Sequence, residues 1–241
     1  MQTRLITKTT GIIGSEYEGK SIDEIIVGIA RLSSSREIND LFEEPDKLLR
    51  HCILNQHWSI FEMANLTFEV ITSRAMGREM LRHKSMSVQE FSQRYQIISV
   101  FEPVEIRLQS NDNRQSSTEV IYDYKLESQV KESIANSMTA YNNLLNNNIA
   151  RECARMILPE TMQTKMYFNG NIRSWISFLN QRLHKTAQKE IRLVAESIRD
   201  SFIEECPVIS KALFNFEDAY EIHVMERIVL EKYKVYGQVK K

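Results

Sequence analysis

Glycine, proline and cysteine are all scarce in this chain of 241 residues, at seven, four and three. Neither G-x-G-x-x-G nor G-x-x-x-x-G-K-[ST] occurs anywhere in it. Without such loops the backbone has no ready phosphate cradle, so a nucleotide has to be held by arginine, lysine, histidine, serine and asparagine side chains. Cys52, Cys153 and Cys206 are too few and too scattered for a disulfide framework, and free thiols in a reducing compartment are the simpler reading. Long apolar runs are missing as well, and nothing approaches the roughly 20 residues of a membrane span. The first residues lack the basic-then-apolar layout of a secretory leader, so a cytoplasmic location is expected. A formal charge of −1 provides no global basic field for nucleic acid. Anion binding must then come from local clusters.

What is present, 42% hydrophobic and 26% charged side chains, suits a soluble globular protein with one large core or two smaller ones. Ser21 and Glu24 have capping-box spacing, followed by Ile22, Ile25, Ile26 and Ile29 at helical intervals. Pro45 opens a second expected helix with Leu48, Leu49, Cys52 and Ile53 inward. Leu66, Phe68 and Val70 alternate with polar neighbours, as in a half-buried strand. Residues 74–83 are expected to be helical, with Arg74, Arg78 and Arg82 on one face. Strands are expected over 95–101 and 104–108, and Gln109 to Thr118 reads as a polar loop. Beyond about 119 the chain turns helical. Ile134, Met138, Tyr141 and Leu145 form a stripe, Asn146 to Asn148 interrupts it, and a short helix runs from 149 to 158. Residues 161–168 alternate, and helices follow over 171–183 and 186–205, the second ending before Pro207. Ile222, Met225 and Val229 mark a last helix before a polar tail. With no repeat and no linker, the pattern reads as one mixed α/β domain with its strands clustered in the first half.

The densest chemical feature is Arg82-His83-Lys84, followed by Gln89, Glu90, Ser92 and Arg94. Adjacent cationic groups repel one another, so an anion would offset that cost if they were enclosed. Ser92 and Arg94 can share one phosphate by hydroxyl and guanidinium fork. A solvated basic helix end, or a nucleic-acid face built from Arg74, Arg78, Arg82, His83 and Lys84, fits the same residues. Downstream, Arg151 and Arg155 lie one turn apart, and Asn171, Arg173, Ser177 and Arg182 follow on a helix opening at Asn171. Such a helix start suits a pyrophosphate, although surface salt bridges explain the pattern too. His51, Cys52 and His57 find no completing ligand, so no metal is expected. Cys153 has flanking arginines but fits a packed helix better than a nucleophile.

Arg82 to Tyr95, RHKSMSVQEFSQRY, resembles the signature of the flavin-dependent thymidylate synthases: Arg-His-Arg, a spacer, then (Asn/Gln)-Glu-x-Ser-x-Arg-Tyr. His57-Trp58-Ser59-Ile60-Phe61-Glu62 resembles that family's upstream H-x-[ST]-x-x-E element. Arg151 to Pro159 resembles its RxxAR…LP segment, and Asn171-Ile172-Arg173 through Arg182 its downstream helix. These elements cover about residues 50 to 190 in the family's order. The resemblance implies an α+β fold, with helices on a mainly antiparallel sheet and a helix-rich second half. It also implies a family domain over 1–220, a C-terminal helix and tail over 221–241, and a homotetramer with shared sites.

The implied reaction makes dTMP from dUMP, with methylenetetrahydrofolate as methylene donor and reduced FAD, recharged by NADPH, as hydride source. No cysteine attacks the base. By motif position, FAD would meet Ser59, Arg82, His83, Lys84, Gln89, Asn171, Ile172, Arg173 and Ser177. The dUMP contacts would be Glu79, Met80, Leu81, Arg82, Glu90, Phe91, Ser92, Gln93, Arg94, Arg155 and Arg182. Arg182 would favour the ionised uracil imide as the catalytic group, and His57 would line the folate side. Lys84, Gln89, Glu79, Ser177 and Thr186 depart from the commoner family residues. The pattern Arg82-His83…Glu90-x-Ser92-x-Arg94 is intact.

Overall fold

The computed structural model describes residues 1–33, 40–97 and 100–214. The expected helix around Ile222 and the tail lie outside these residues. The described elements run β1 (Gln2–Lys8), α1 (Ile22–Ala30), α2 (Pro45–Leu54), β2 (Asn65–Ser73), α3 (Arg74–Met80), β3 (Ser87–Glu90), β4 (Arg107–Gln109) and β5 (Ser117–Val120). Then come α4 (Tyr124–Asn146), α5 (Arg151–Ala154), β6 (Gln163–Asn171), α6 (Ile172–Arg182), α7 (Lys189–Glu205) and α8 (Pro207–Leu213). One sheet has the order β1-β2-β6-β3, and β4 and β5 form a separate hairpin.

The main sheet is antiparallel, because its cross-strand partners climb on one strand as they descend on the next. Thr9 N–H donates to the Asn65 carbonyl at 3.0 Å, and the Thr7 hydroxyl meets Thr67 at 2.8 Å. On the other edge of β2, Asn169 donates to Thr67 and Tyr167 to Glu69, both at 2.8 Å. A mixed fold with a mainly antiparallel sheet is therefore what the chain adopts.

By its contacts the chain divides into two compact units. Among the described residues, the first holds Met1–Gln2, Val70–Arg82 and Gln89–Met166, and the second Thr3–Glu69, His83–Val88 and residues 167–214. The second unit carries the larger core. Ile26, Leu49, Ile53, Phe61, Leu66, Phe68, Trp175, Phe178 and Phe202 are all fully buried there. In the first unit, Met76, Met80, Met162 and Met166 are buried. Of the 23 residues of α4, only Tyr141 is buried.

Local signals explain most of the boundaries. Ser21 accepts from Glu24 N–H while the Glu24 carboxylate accepts from Ser21 N–H at 2.8 Å, which completes the capping box. Pro45 is the first residue of α2, and Asp123 caps α4 by accepting from Lys125 and Leu126.

Several expectations are corrected. The helix at 74 ends at Met80, so Arg82 leaves the face shared by Arg74 and Arg78. Tyr95 lies in a turn rather than a strand, because the Ser92 hydroxyl accepts from Arg94 N–H and the Ser92 carbonyl from Tyr95 N–H. At its far end the expected 95–101 strand leaves one bridge, Phe101 to Met162. The expected 104–108 strand is displaced to Arg107–Gln109, and both ends of the expected 109–118 loop belong to a hairpin: Arg107 pairs with Val120 and Gln109 with Ser117. A two-stranded ribbon with no buried face needs no apolar alternation, so the pattern gave no sign of it.

Pro207 opens α8 instead of merely closing α7. Asp23, itself 1% exposed, accepts from Val208 N–H at 2.8 Å and Ile209 N–H at 3.3 Å, giving that helix start its acceptors. Burial raises the Asp23 carboxyl from 3.8 to about 6, against the lowering pull of those two donors. A folded-state pKa above the unfolded one means the folded chain binds the proton more tightly. Stability from this group is thus fully present below about pH 4 and is lost as pH rises through about 6. The gap corresponds to about 3 kcal/mol. Unfolding free energies from pH 4 to 7 should fall more steeply in the natural protein than in Asp23→Asn. Parallel pH profiles would contradict this.

Candidate functional site

In the first unit, three elements converge on Glu90. β3 brings it to its last residue, and Phe91 N–H bonds to the Lys165 carbonyl of β6 at 2.9 Å, fixing the chain just beyond. The Thr164 hydroxyl, fully buried on β6, donates to Glu90 Oε1 at 2.7 Å. Arg74, first residue of α3, donates from Nη1 to the same oxygen at 3.2 Å. α3 lies close on β6 because Gly77 has no side chain: a Cβ there would sit 2.9 Å from Met166 Sδ and 3.1 Å from Thr164 Cγ2.

Beside this cluster is a cavity of about 250 Å³ lined by Arg74, Arg78, Gln93, Arg155, Met156, Leu158, Pro159 and Glu160. Gln93 is buried, and its amide lies 3.0 Å from Met162 Sδ. Arg78 pairs with Glu160 at 2.6 Å and Arg94 with Glu152 at 3.4 Å, in both cases with exposed side chains. Exposed pairs contribute little net energy, so a phosphate can replace these carboxylates at small cost. Arg151 donates to the Tyr95 carbonyl at 2.5 Å. Half-buried Arg155 has no carboxylate partner among the described residues. Glu79 is half-buried at the end of α3, Met80 is fully buried, and Leu81 and Arg82 are exposed beyond it. Gln89 is exposed on β3. The arrangement is a small cationic pocket with one firmly held carboxylate next to it.

In the second unit, α6 organises another cluster. Asn171 caps it by accepting from Ser174 N–H at 2.8 Å, and Ser174 Oγ donates to the Ser85 carbonyl at 3.2 Å. Arg182, the last residue of α6, donates from Nε to His83 Nε2 at 3.0 Å. That bond needs a lone pair on Nε2, so the ring carries its proton on Nδ1. The His83 ring is buried and meets Phe178 edge-on at 4.9 Å, which fixes its plane and with it the guanidinium. Arg173 pairs with Glu62 of the upstream motif element. The Ile172 side chain is in the core and its N–H bonds to the Ala64 carbonyl, so neither faces a ligand. Ser59, Lys84 and Ser177 are exposed. So is His57, whose ring centre lies 5.8 Å from that of His51. No group of three or more histidine, cysteine or acidic side chains among the described residues is placed to hold a metal.

Cys153 is exposed rather than packed, since Ala154 is the residue of α5 that turns inward. Cys52 and Cys206 are buried, and burial raises both thiols, the reverse of an activated nucleophile. Arg74 and Arg78 pair with Glu90 and Glu160, and Arg82 lies beyond the end of α3, so the five basic residues do not form one continuous helix face. The site residues missed in the sequence are Arg74, Arg78 and Thr164. The i, i+4 arginine spacing was a signal for the first two. Thr164 has none, because only the pairing of β6 brings it to Glu90.

Comparison with known proteins identifies the family. The family described as "Thymidylate synthase complementing protein" matches residues 16–208. A flavin-dependent thymidylate synthase of Synechocystis sp. is 37% identical over 217 residues, covering 88% of this chain and 99% of that protein. A probable flavin-dependent thymidylate synthase of Paramecium bursaria Chlorella virus 1 is 37% identical over 219 residues, again covering 88% and 99%. Among solved structures, the UMP/dUMP methylase PolB of Streptomyces cacaoi, bound with 5-Br dUMP, superposes with a TM-score of 0.72 at 24% identity. That match covers 88% of this chain and 94% of the other, and shows a shared fold. A family match over most of the chain, with two relatives 37% identical along nearly their whole length, means that this chain belongs to the flavin-dependent thymidylate synthase family.

Proposed function

We propose that this chain forms dTMP from dUMP, taking a methylene group from methylenetetrahydrofolate. When bound, reduced FAD, recharged by NADPH, supplies the hydride. The observation that carries this is the cationic cavity of the first unit. Motif residue Gln93 lines it with three arginines, and one of these, Arg74, grips motif residue Glu90.

The nucleotide is assigned to Glu79, Met80, Leu81, Arg82, Glu90, Phe91, Ser92, Gln93, Arg94 and Arg155, with Met80 limited to its backbone by burial. Arg94 and Arg155 supply charge for the phosphate, Arg94 releasing Glu152 as it binds. Arg182 is assigned to the uracil imide. Its guanidinium, held in orientation by His83, favours the ionised ring without having to reorganise, and so makes the ring carbon nucleophilic. The Cys52 and Cys206 thiols, buried and raised by that burial, fit a route with no adduct to either.

The residues of the second unit suit a flavin. Lys84, Arg173 and the capped start of α6 offer positive charge to a diphosphate, and Ser59 and Ser177 offer exposed hydroxyls. Arg173 is already in an exposed pair with Glu62, which an anion can displace. His83 and Asn171 complete this set, joined from the motif by Arg82 and Gln89, with Ile172 limited to its backbone carbonyl, and His57 is assigned to the folate side.

A homotetramer is proposed on the same footing. Tyr95, Tyr122, Tyr124 and Met156 of the first unit are each more than three-quarters exposed, and such large side chains gain from being covered by a further subunit. No described helix is long and apolar enough to cross a membrane, in keeping with a cytoplasmic enzyme.

The purified protein should show a flavin absorbance spectrum and a tetramer's mass. It should also form dTMP when given dUMP, methylenetetrahydrofolate and NADPH. A colourless protein that cannot be reconstituted with FAD would refute the proposal. Flavin binding without dTMP would mark a member that has lost turnover, with Lys84 and Thr186 as the residues to examine.

A further inference from the structure

Glu90 is held from two sides at one oxygen only. Both the Thr164 hydroxyl, at 2.7 Å, and Arg74 Nη1, at 3.2 Å, bond to Oε1. No described group bonds to Oε2. The carboxylate is half-buried and next to the arginine-lined cavity, because Arg74 belongs to both.

Two donors on one oxygen set both the direction and the rotation of a carboxylate. The remaining oxygen then points one way and accepts from whatever donor is brought there. Because Thr164 is fully buried on the central strand β6, its hydroxyl cannot drift. Because Gly77 lets α3 press onto Thr164, Arg74 starts its helix within reach of the same oxygen. The three residues come from three elements, and only the sheet order β2-β6-β3 brings them together.

We infer that Thr164 and Arg74 are positioning residues that lock Glu90 with Oε2 presented to a hydroxyl or N–H donor of the bound nucleotide. This rests on the assignment of Glu90 to dUMP. A ligand without that donor leaves a fixed carboxylate oxygen unsatisfied, so the clamp serves selection as well as affinity. The contact is made in the ground state and in the transition state alike, so losing it weakens binding and spares the chemical step.

The test uses the full-length, flavin-loaded enzyme and titrates dUMP by calorimetry, with kcat and KM measured alongside. Thr164→Val keeps the shape and removes the donor. It should weaken dUMP binding about tenfold and change kcat less than about threefold, a loss of the size expected for a hydrogen bond to a charged group. Thr164→Ser should restore binding, and it keeps the test open if the valine variant folds poorly. Arg74→Ala should weaken binding in the same way. Since both residues act through Glu90, Thr164→Val combined with Glu90→Gln should bind dUMP no more weakly than Glu90→Gln alone. Normal affinity in Thr164→Val alongside a weakened Glu90→Gln would overturn the positioning role and leave the nucleotide assignment standing. Normal affinity in Glu90→Gln itself would overturn both. Fully additive losses would also overturn the positioning role.

Discussion

Replacing Arg182 by alanine is expected to lower dTMP formation by about 10²–10³-fold, the range seen when one preorganised charge-stabilising donor is removed from a catalytic site. The fold should survive. Arg182 is the last residue of α6 and only half-buried, and the helix is anchored by Trp175, Ile176, Phe178 and Leu179 on its other turns. What disappears is a guanidinium whose direction is set by His83 at 3.0 Å. Lysine is not a substitute, because an ammonium has no planar fork and does not reproduce the Nε–H to His83. Arg182→Lys should therefore stay within about tenfold of the alanine variant. Single-turnover rates at saturating dUMP, with circular dichroism to check the fold, decide the matter. Turnover of Arg182→Ala within about threefold of normal would show that the residue has no part in activating the base.

The largest effect on stability is expected at Trp175. Its side chain is fully buried, its ring meets Phe68 at 4.9 Å and Phe178 at 5.7 Å, and its indole N–H donates to the Leu66 carbonyl at 3.1 Å. Trp175→Ala opens a large cavity and leaves that carbonyl without its donor, a cost of about 3–5 kcal/mol. Set against a net stability of about 5–15 kcal/mol, this is enough to leave the variant partly unfolded. Trp175→Phe keeps most of the ring contacts and loses the hydrogen bond, so it should cost about 1–2 kcal/mol. Flavin retention should follow the same order, since Arg173 and Ser177, both assigned to the flavin, lie on the helix that Trp175 anchors. Denaturant midpoints at constant slope measure it. A loss below about 1 kcal/mol in the alanine variant would mean that α6 is held by something else.

Elements with local causes were legible in the sequence. The capping box at Ser21, the proline at the start of α2, the alternation in β2 and the asparagine cap of α6 each involve neighbours within four residues. The errors fall where distant partners decide. The strand at Ser87–Glu90 exists because β6 offers it an edge, and α8 begins with acceptors supplied by Asp23, some 185 residues away. Arg82 leaves the face of Arg74 and Arg78 because α3 ends two residues earlier.

By itself the sequence determined the family, the order of the site elements and the residue types available for anions, since fixed spacing among Arg82, His83, Glu90, Ser92 and Arg94 is a one-dimensional property. Which atoms those residues offer was decided only by the tertiary structure. Glu90 is a carboxylate with one oxygen fixed and one open, and Arg182 is a guanidinium aimed by a histidine 99 residues before it. The reason is physical. Spacing along a chain specifies which groups exist, whereas a hydrogen bond needs two groups within about 3 Å in a set direction. For residues far apart in sequence, only the packing of strands and helices provides that.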